Sequence, residues 1–344
     1  MPSANGGPPP TRSGLRVLAF YDQSAAKTPP NPFGLLKSHP GLVTDIAPFW
    51  YEVDAKGMVT SRPQGNVATL AAQQHLRLVP LFNNAKGTDL FLHSAQTRHV
   101  AISHIVALVK SHHYAGVNID FQGLKPTDRH DLTLFMDQLH RTMPQTAFIS
   151  ISVVPLTNLN GSQSAYDYRK LDHVSQAMVL MAYDLHGNGT PPGPVSPIRW
   201  VSQCIRLALK AGVAPHKLYL GIADYGYDWA SGSTKAVTVP LKAMHAHRYG
   251  HYTWNSQDQE ATVTYTKAGV KHIIWFVPDR GAVSRIKLAQ RDHLGGVAFW
   301  RIGYEDARWW SAVAGALGQT SVSHAAKKGG TPGGGKTSPQ HKKA

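Results

Sequence analysis

Gly116-Val117-Asn118-Ile119-Asp120-Phe121-Gln122 alternates apolar and polar side chains with a period of two. Successive side chains of a strand point to opposite faces, so Asn118, Asp120 and Gln122 share one face and Val117, Ile119 and Phe121 the other. A polar column on a covered strand is costly unless its members bond one another or a ligand. Similar strand-like runs occur at Arg16–Asp22, Val43–Tyr51, Leu76–Asn84, Ala147–Pro155, Ala177–Asp184, Lys217–Trp229 and Gly295–Trp300. Most are continuous in Val, Ile, Leu, Ala and Phe, as parallel strands buried on both faces are. Helical patterns at His99–Lys110, Thr127–Arg141, Trp200–Lys210 and Val283–His293 lie between them, the second opening on a Thr-Asp cap signal.

Eight strands with intervening helices over about 300 residues predict an α/β fold, a (β/α)8 TIM barrel, for which roughly 250 residues is usual. A doubly wound open sheet is the alternative, and the strand count favours the barrel. Tyr252–Val277 alternates in period two around a Lys-Ala-Gly turn and reads as a small α+β insertion between strands seven and eight, spanning about 230–278. In the barrel, 15–316, the inward column of Asn118, Asp120 and Gln122 rises to the mouth. A Pro/Gly-rich lead over 1–14 and a Lys/Gly-rich tail over 317–344 are expected to be disordered and flexible.

With 42% hydrophobic and 16% charged residues, most of the 344-residue chain is expected to fold around a sizeable core. Cys204 is the only cysteine, which excludes an internal disulfide framework and any multi-cysteine metal site. No run of about eighteen apolar residues predicts a membrane span, and no signal peptide is legible in the first residues. The formal charge is +15; five tail lysines (Lys327, Lys328, Lys336, Lys342, Lys343) account for part of it and +10 remains for the rest. That balance suits an anionic partner such as cell-wall polymer, nucleic acid or anionic lipid. The tail has no aromatic residues for base stacking, so no specific nucleic acid is expected. His112-His113 and His245-Ala246-His247 lack carboxylates at a ligand spacing, so neither a metal nor any other cofactor is expected.

Active sites of such barrels lie at the carboxyl ends of the strands. Seven strand ends here carry aromatics beside amides or carboxylates, among them Tyr21, Trp50, Asn83, Asp120, Asp184, Tyr225 and Trp300. Aromatic faces stack on the CH surfaces of sugars while polar groups take the hydroxyls, so the pattern points to a carbohydrate site.

The segment GVNIDFQGL (Gly116–Leu124) resembles the DxxDxDxE signature of glycoside hydrolase family 18, the chitinase-like barrels. Met181–Pro197, Gly221–Trp229, His272–Arg280 and Phe299–Trp310 are similar to the bacterial branch that contains spore-cortex-lytic N-acetylglucosaminidases. The resemblance implies a retaining mechanism in which the substrate's own acetamide attacks the anomeric carbon. It assigns acetamide orientation to Asp120, an acetamide hydrogen bond to Tyr183, the floor under the distorted sugar to Trp300 and sugar hydroxyls to Asp184. Asn118, Tyr21, Trp50, Asn83 and Tyr225 complete the expected substrate contacts.

The family's acid, a glutamate, falls on Gln122, and Ala115 and Asn118 stand at its first two aspartates. An amide has no proton to release near neutral pH, and general acid–base catalysis contributes typically 10²–10⁴-fold. The expectation is therefore a glycan-binding, catalytically impaired relative that recognises an N-acetylglucosamine-containing polymer, peptidoglycan or chitin-like. Two alternatives stand beside it: an active glycosidase using Glu52, Asp224, Asp228, Glu260 or Glu305 as acid, and an envelope scaffold protein.

Overall fold

The structure, a computed structural model, describes residues 11, 14–22, 32–62, 66–158, 164–244 and 250–318. The tail beyond Gly318, the His245 and His247 pair and the lead except Thr11 and Gly14 lie outside the described residues. Among the described residues, eight parallel strands form the barrel: Arg16–Tyr21, Asp45–Val53, Leu81–Asn84, Gly116–Asp120, Phe148–Val153, Ala177–Leu180, Leu218–Ala223 and Gly296–Trp300. The first strand pairs with both the second and the eighth, which closes the sheet and leaves none of the two edges an open doubly wound sheet would have. Helices such as Ala95–Ser111, Arg129–Thr142, Ile198–Lys210 and Asp279–Arg291 return the chain between strands. The first of these is capped by Ser94, whose Oγ accepts from Thr97 N at 3.1 Å.

Two apolar layers follow from strand alternation. Outward residues such as Val17, Ala19, Ile119, Ile151 and Leu220 pack under the helices. Inward residues Leu18, Phe20, Ala47, Leu81, Phe148, Val179, Tyr219 and Ala298 fill the barrel, so it is a packed core and not a pore. At the end of the barrel where the strands begin, Asp45 is fully buried and binds two guanidinium groups. Arg16 meets it through Nε and Nη2, both at 3.0 Å, and Arg77 through Nε. Thr44 Oγ1 donates to the same carboxylate at 2.7 Å, and Arg77 stacks 3.8 Å from the Phe148 ring centre.

The insertion is a five-stranded antiparallel sheet ordered Ala236–Pro240, Tyr225–Ala230, Val270–Phe276, Glu260–Lys267, His251–Asn255. Its last hairpin turns at Ala268 and Gly269, with φ of 49° and 80°, the left-handed pair that a two-residue hairpin turn requires. The strand expected over Lys217–Trp229 divides at Asp224: Leu218–Ala223 belongs to the barrel and Tyr225–Ala230 opens the inserted sheet. Glu260 fastens this sheet to the barrel. Its buried carboxylate accepts from Val195 N at 2.8 Å and Ser196 N at 2.5 Å and lies 3.3 Å from Arg285 Nη2. No described helix is long and apolar enough to cross a membrane.

Candidate functional site

The fourth strand lifts Asn118, Asp120 and Gln122 along the inside of the barrel, but the three do different things. Asn118 is fully buried; its Nδ2 donates to Ser150 Oγ at 3.0 Å and its Oδ1 accepts from Ser152 Oγ at 3.2 Å. Its hydrogen bonds are made within the barrel wall, beneath the mouth. Asp120 lies above it, only 5% exposed. Gln122 stands at the rim, and its Nε2 donates to both Asp120 oxygens, at 2.9 and 3.0 Å. Burial lifts the Asp120 carboxyl to about 6, and the Gln122 hydrogen bond pulls the other way.

The aromatic wall comes from the strands across the barrel. Tyr183 follows the sixth strand and, like Trp300, packs against the cluster of Val195, Ala223 and Tyr225. Burial holds its hydroxyl well above the usual value, with the charges of Asp120 and Asp184 adding to it. A side chain at Gly221 would meet Tyr183 Cε1 at 2.8 Å, so the bare backbone there makes room for the ring. Trp300 ends the eighth strand over Phe20, ring centres 5.3 Å apart, and the Trp300–Arg301 peptide is cis. Asp184 adopts φ of 60°, and its Oδ1 accepts from the hydroxyls of Tyr225 and Tyr227, the latter at 3.1 Å. Tyr225 is 3% exposed and reaches the mouth through Asp184. Asn83 pairs in register with Asp120 on the neighbouring strand. Its Oδ1 is buried with no hydrogen-bond partner among the described residues.

Two expected sugar contacts are elsewhere. Tyr21 and Trp50 are buried in the layer between strands and helices, on the face opposite the mouth. Leu18 and Phe20 occupy the inner face of the first strand, which turns Tyr21 outward and Asp22 towards the mouth. In the second strand the register shifts between Phe49 and Tyr51, a bulge that leaves Phe49 on the inner side and both Trp50 and Tyr51 outside.

The remaining carboxylates are engaged or enclosed. Glu52 pairs with Arg62, Asp228 accepts from Tyr265 at 2.5 Å beside His272, and Glu260 anchors the insertion. Asp224 and Glu305 are both fully buried, and burial with the Glu305 charge raises the Asp224 carboxyl well above its usual range. Among the described residues one group places metal-ligand atoms within 4.8 Å of one another: Asp89, His93 and Asp128. The Lys125 ammonium lies 2.8 Å from Asp89 and supplies the positive charge there.

Asp120 also carries a stability cost with a definite sign. Its folded value lies above that of an unfolded aspartate, about 3.9, so its contribution is fully present below that pH and is lost as pH rises through about 6. We expect Asp120→Asn to be more stable than the natural chain by about 3 kcal/mol at pH 8, with the gap closing below about pH 4. Chemical unfolding at both pH values checks this. A gap of the same size at both would mean that ionisation of Asp120 is not its source.

A model of the family described as Glycosyl hydrolases family 18 matches residues 16–305. An uncharacterized glycosylase of Bacillus subtilis, YvbX, is 26% identical over 218 residues, 61% of this chain and 63% of that protein, so the match spans a little under two thirds of that relative. The cortical fragment-lytic enzyme of Bacillus anthracis is 23% identical over 323 residues, 88% of this chain and 75% of the enzyme. Among solved structures, a chitinase from Chromobacterium violaceum superposes with a TM-score of 0.80 at 22% identity, covering 89% of this chain and 100% of that one. The spore cortex-lytic enzyme SleL of Bacillus cereus gives 0.78 at 22% identity, covering 89% and 74%. The fold and the family match agree over nearly the whole barrel, and the chain belongs to glycosyl hydrolases family 18, with a carbohydrate-binding, glycoside-hydrolase-like role.

Proposed function

We propose that the mouth of the barrel binds an N-acetylglucosamine-containing polymer without efficient cleavage. The observation that carries this reading is the Gln122 amide, held 2.9 and 3.0 Å from the two Asp120 oxygens at the position of the family's acid. The amide donates hydrogen bonds but cannot protonate a leaving oxygen near neutral pH. Asp120 then orients the sugar's acetamide, Tyr183 bonds its oxygen, Asp184 and Asn83 take hydroxyls, and Trp300 lies under the ring. The relatives named as cortex-lytic favour peptidoglycan over chitin as the polymer. The tail lysines add a sequence-independent attraction to anionic wall, one that weakens as salt rises.

The test is titration calorimetry with tetra-N-acetylchitotetraose and peptidoglycan fragments, alongside an assay for released reducing ends. The natural chain is expected to bind and release none. Trp300→Ala is expected to weaken binding about 30-fold or more, as loss of a central aromatic anchor does. Reducing-end release by the natural chain would overturn the impaired reading, and unchanged affinity in Trp300→Ala would remove the sugar from this cleft.

A further inference from the structure

The fourth strand's ladder to the third ends at the Asn83–Asp120 pair, two residues short of Gln122. Beyond it the backbone of residue 122 is held by a side chain. Asn84 Oδ1 accepts from Gln122 N at 2.8 Å, and Asn84 Nδ2 donates to Gln122 O, also at 2.8 Å. The same Nδ2 donates to Thr88 O at 3.0 Å, which ties the carboxamide into its own loop. Asn84 is 4% exposed, so these bonds form away from competing water. One residue earlier, the buried Tyr166 hydroxyl donates to Phe121 O at 2.6 Å. Immediately after, Gly123 turns the chain away with φ of 71°. The carboxamide thus continues the sheet where the strand itself has stopped.

We infer that Asn84 is a positioning residue: by gripping both backbone groups of residue 122 it aims that residue's side chain down onto Asp120 instead of out into solvent. The chemistry follows from reach. A glutamine side chain has three rotatable bonds, and clamping its backbone fixes the origin and direction of the Cα–Cβ bond, which sets what those rotations can reach. With N–H and C=O both clamped, the Nε2 to Asp120 contact remains as the side chain's anchor, backed by the Met181 sulfur at 3.7 Å. The Asn84 carboxamide spends its hydrogen bonds on the backbone of residues 88 and 122, so it acts through residue 122.

The experiment reads the Asp120 carboxyl directly, by carbon-detected NMR titration of the full chain without ligand. Among the described residues, Tyr166 and Tyr183 are the other titratable groups that face Asp120, and burial keeps both protonated above pH 10, so a midpoint near 6 is expected to report Asp120. Gln122→Ala removes the hydrogen bond that lowers this midpoint, and we expect a rise of about one pH unit. Asn84→Leu, which is close in size but makes neither backbone bond, is expected to raise it in the same direction and by a comparable amount. Asn84→Ser is a second, smaller variant for the case that leucine does not fold, with the same expected direction. Ile119→Val, a core deletion on the opposite face of the same strand, lowers stability and is expected to leave the midpoint unchanged. An Asn84 variant that loses stability but titrates like the natural chain overturns the inference.

A second arm measures affinity for tetra-N-acetylchitotetraose, expected to fall about tenfold in Asn84→Leu as the aimed amide is released; only this arm rests on the glycan-binding reading. If the natural chain fails to bind while the midpoint shifts, the glycan reading fails and the positioning role stands. If it binds and the midpoint does not move, the reverse holds.

Discussion

Gln122→Glu releases reducing ends from N-acetylglucosamine oligomers about 10²–10⁴-fold faster than the natural chain, the range that general acid catalysis supplies. The replacement is nearly isosteric, so a carboxyl lies where the amide now stands, about 3 Å from Asp120. Two carboxyl groups at that separation cannot both ionise, and one holds its proton into the neutral range. Asp120 is already lifted to about 6 by burial, so the new pair retains a proton at the pH of the assay. Tyr183, Trp300 and Asp184 are in place around it, packed or hydrogen-bonded independently of residue 122. The measurement is a reducing-sugar assay on oligomers and purified peptidoglycan with both proteins. A variant that releases no reducing ends would mean that a carboxyl at residue 122 is not sufficient for turnover, and equal activity in both would send the search to another carboxylate.

The second large effect lies at the opposite end of the barrel. Asp45→Ala leaves Arg16 and Arg77 facing each other with their shared carboxylate gone, and unpairing a buried ion pair costs about 3–5 kcal/mol. The arginine side chains are 19% and 14% exposed, so water compensates only in part. The Thr44 hydroxyl and the Phe148 ring remain, but neither neutralises two cations. Urea unfolding of the variant is expected to show this loss with sugar affinity unchanged at temperatures where it stays folded. A loss below about 1 kcal/mol would mean that the arrangement gains little over solvated arginines.

The barrel and the line from Asp120 to Gln122 are legible in the sequence because period-two alternation survives wherever a strand is regular. The misplacements have local causes. Tyr21 and Asp22 end the first strand together, and only the inward packing of Leu18 and Phe20 decides which of them faces the mouth. Trp50 alternates outward from the inward-packed Ala47 and Phe49, and the bulge beside it sends Tyr51 outward too, so neither aromatic of that strand end reaches the mouth. The seventh strand reads on into Tyr225, Tyr227 and Trp229 because the inserted strand has the same alternation. Asn84 was adjacent to a residue singled out for the site, yet its task depends on a backbone 38 positions away, which no local pattern encodes. The Asp45 cluster is likewise a meeting of Arg16, Asp45 and Arg77 from three separate segments of the chain.

A single residue, Asp224, separates the seventh barrel strand from the first strand of the inserted sheet, and its N–H is bonded to the Trp300 carbonyl at 3.2 Å. The far side of that sheet is held to the barrel through Glu260, so the wall that carries Tyr225 and Tyr227 is fastened on two sides. That side of the mouth is built as one piece with the barrel. To shift that wall, a ligand would have to break the Asp224–Trp300 bond or the Glu260 bonds, all of them made within the chain.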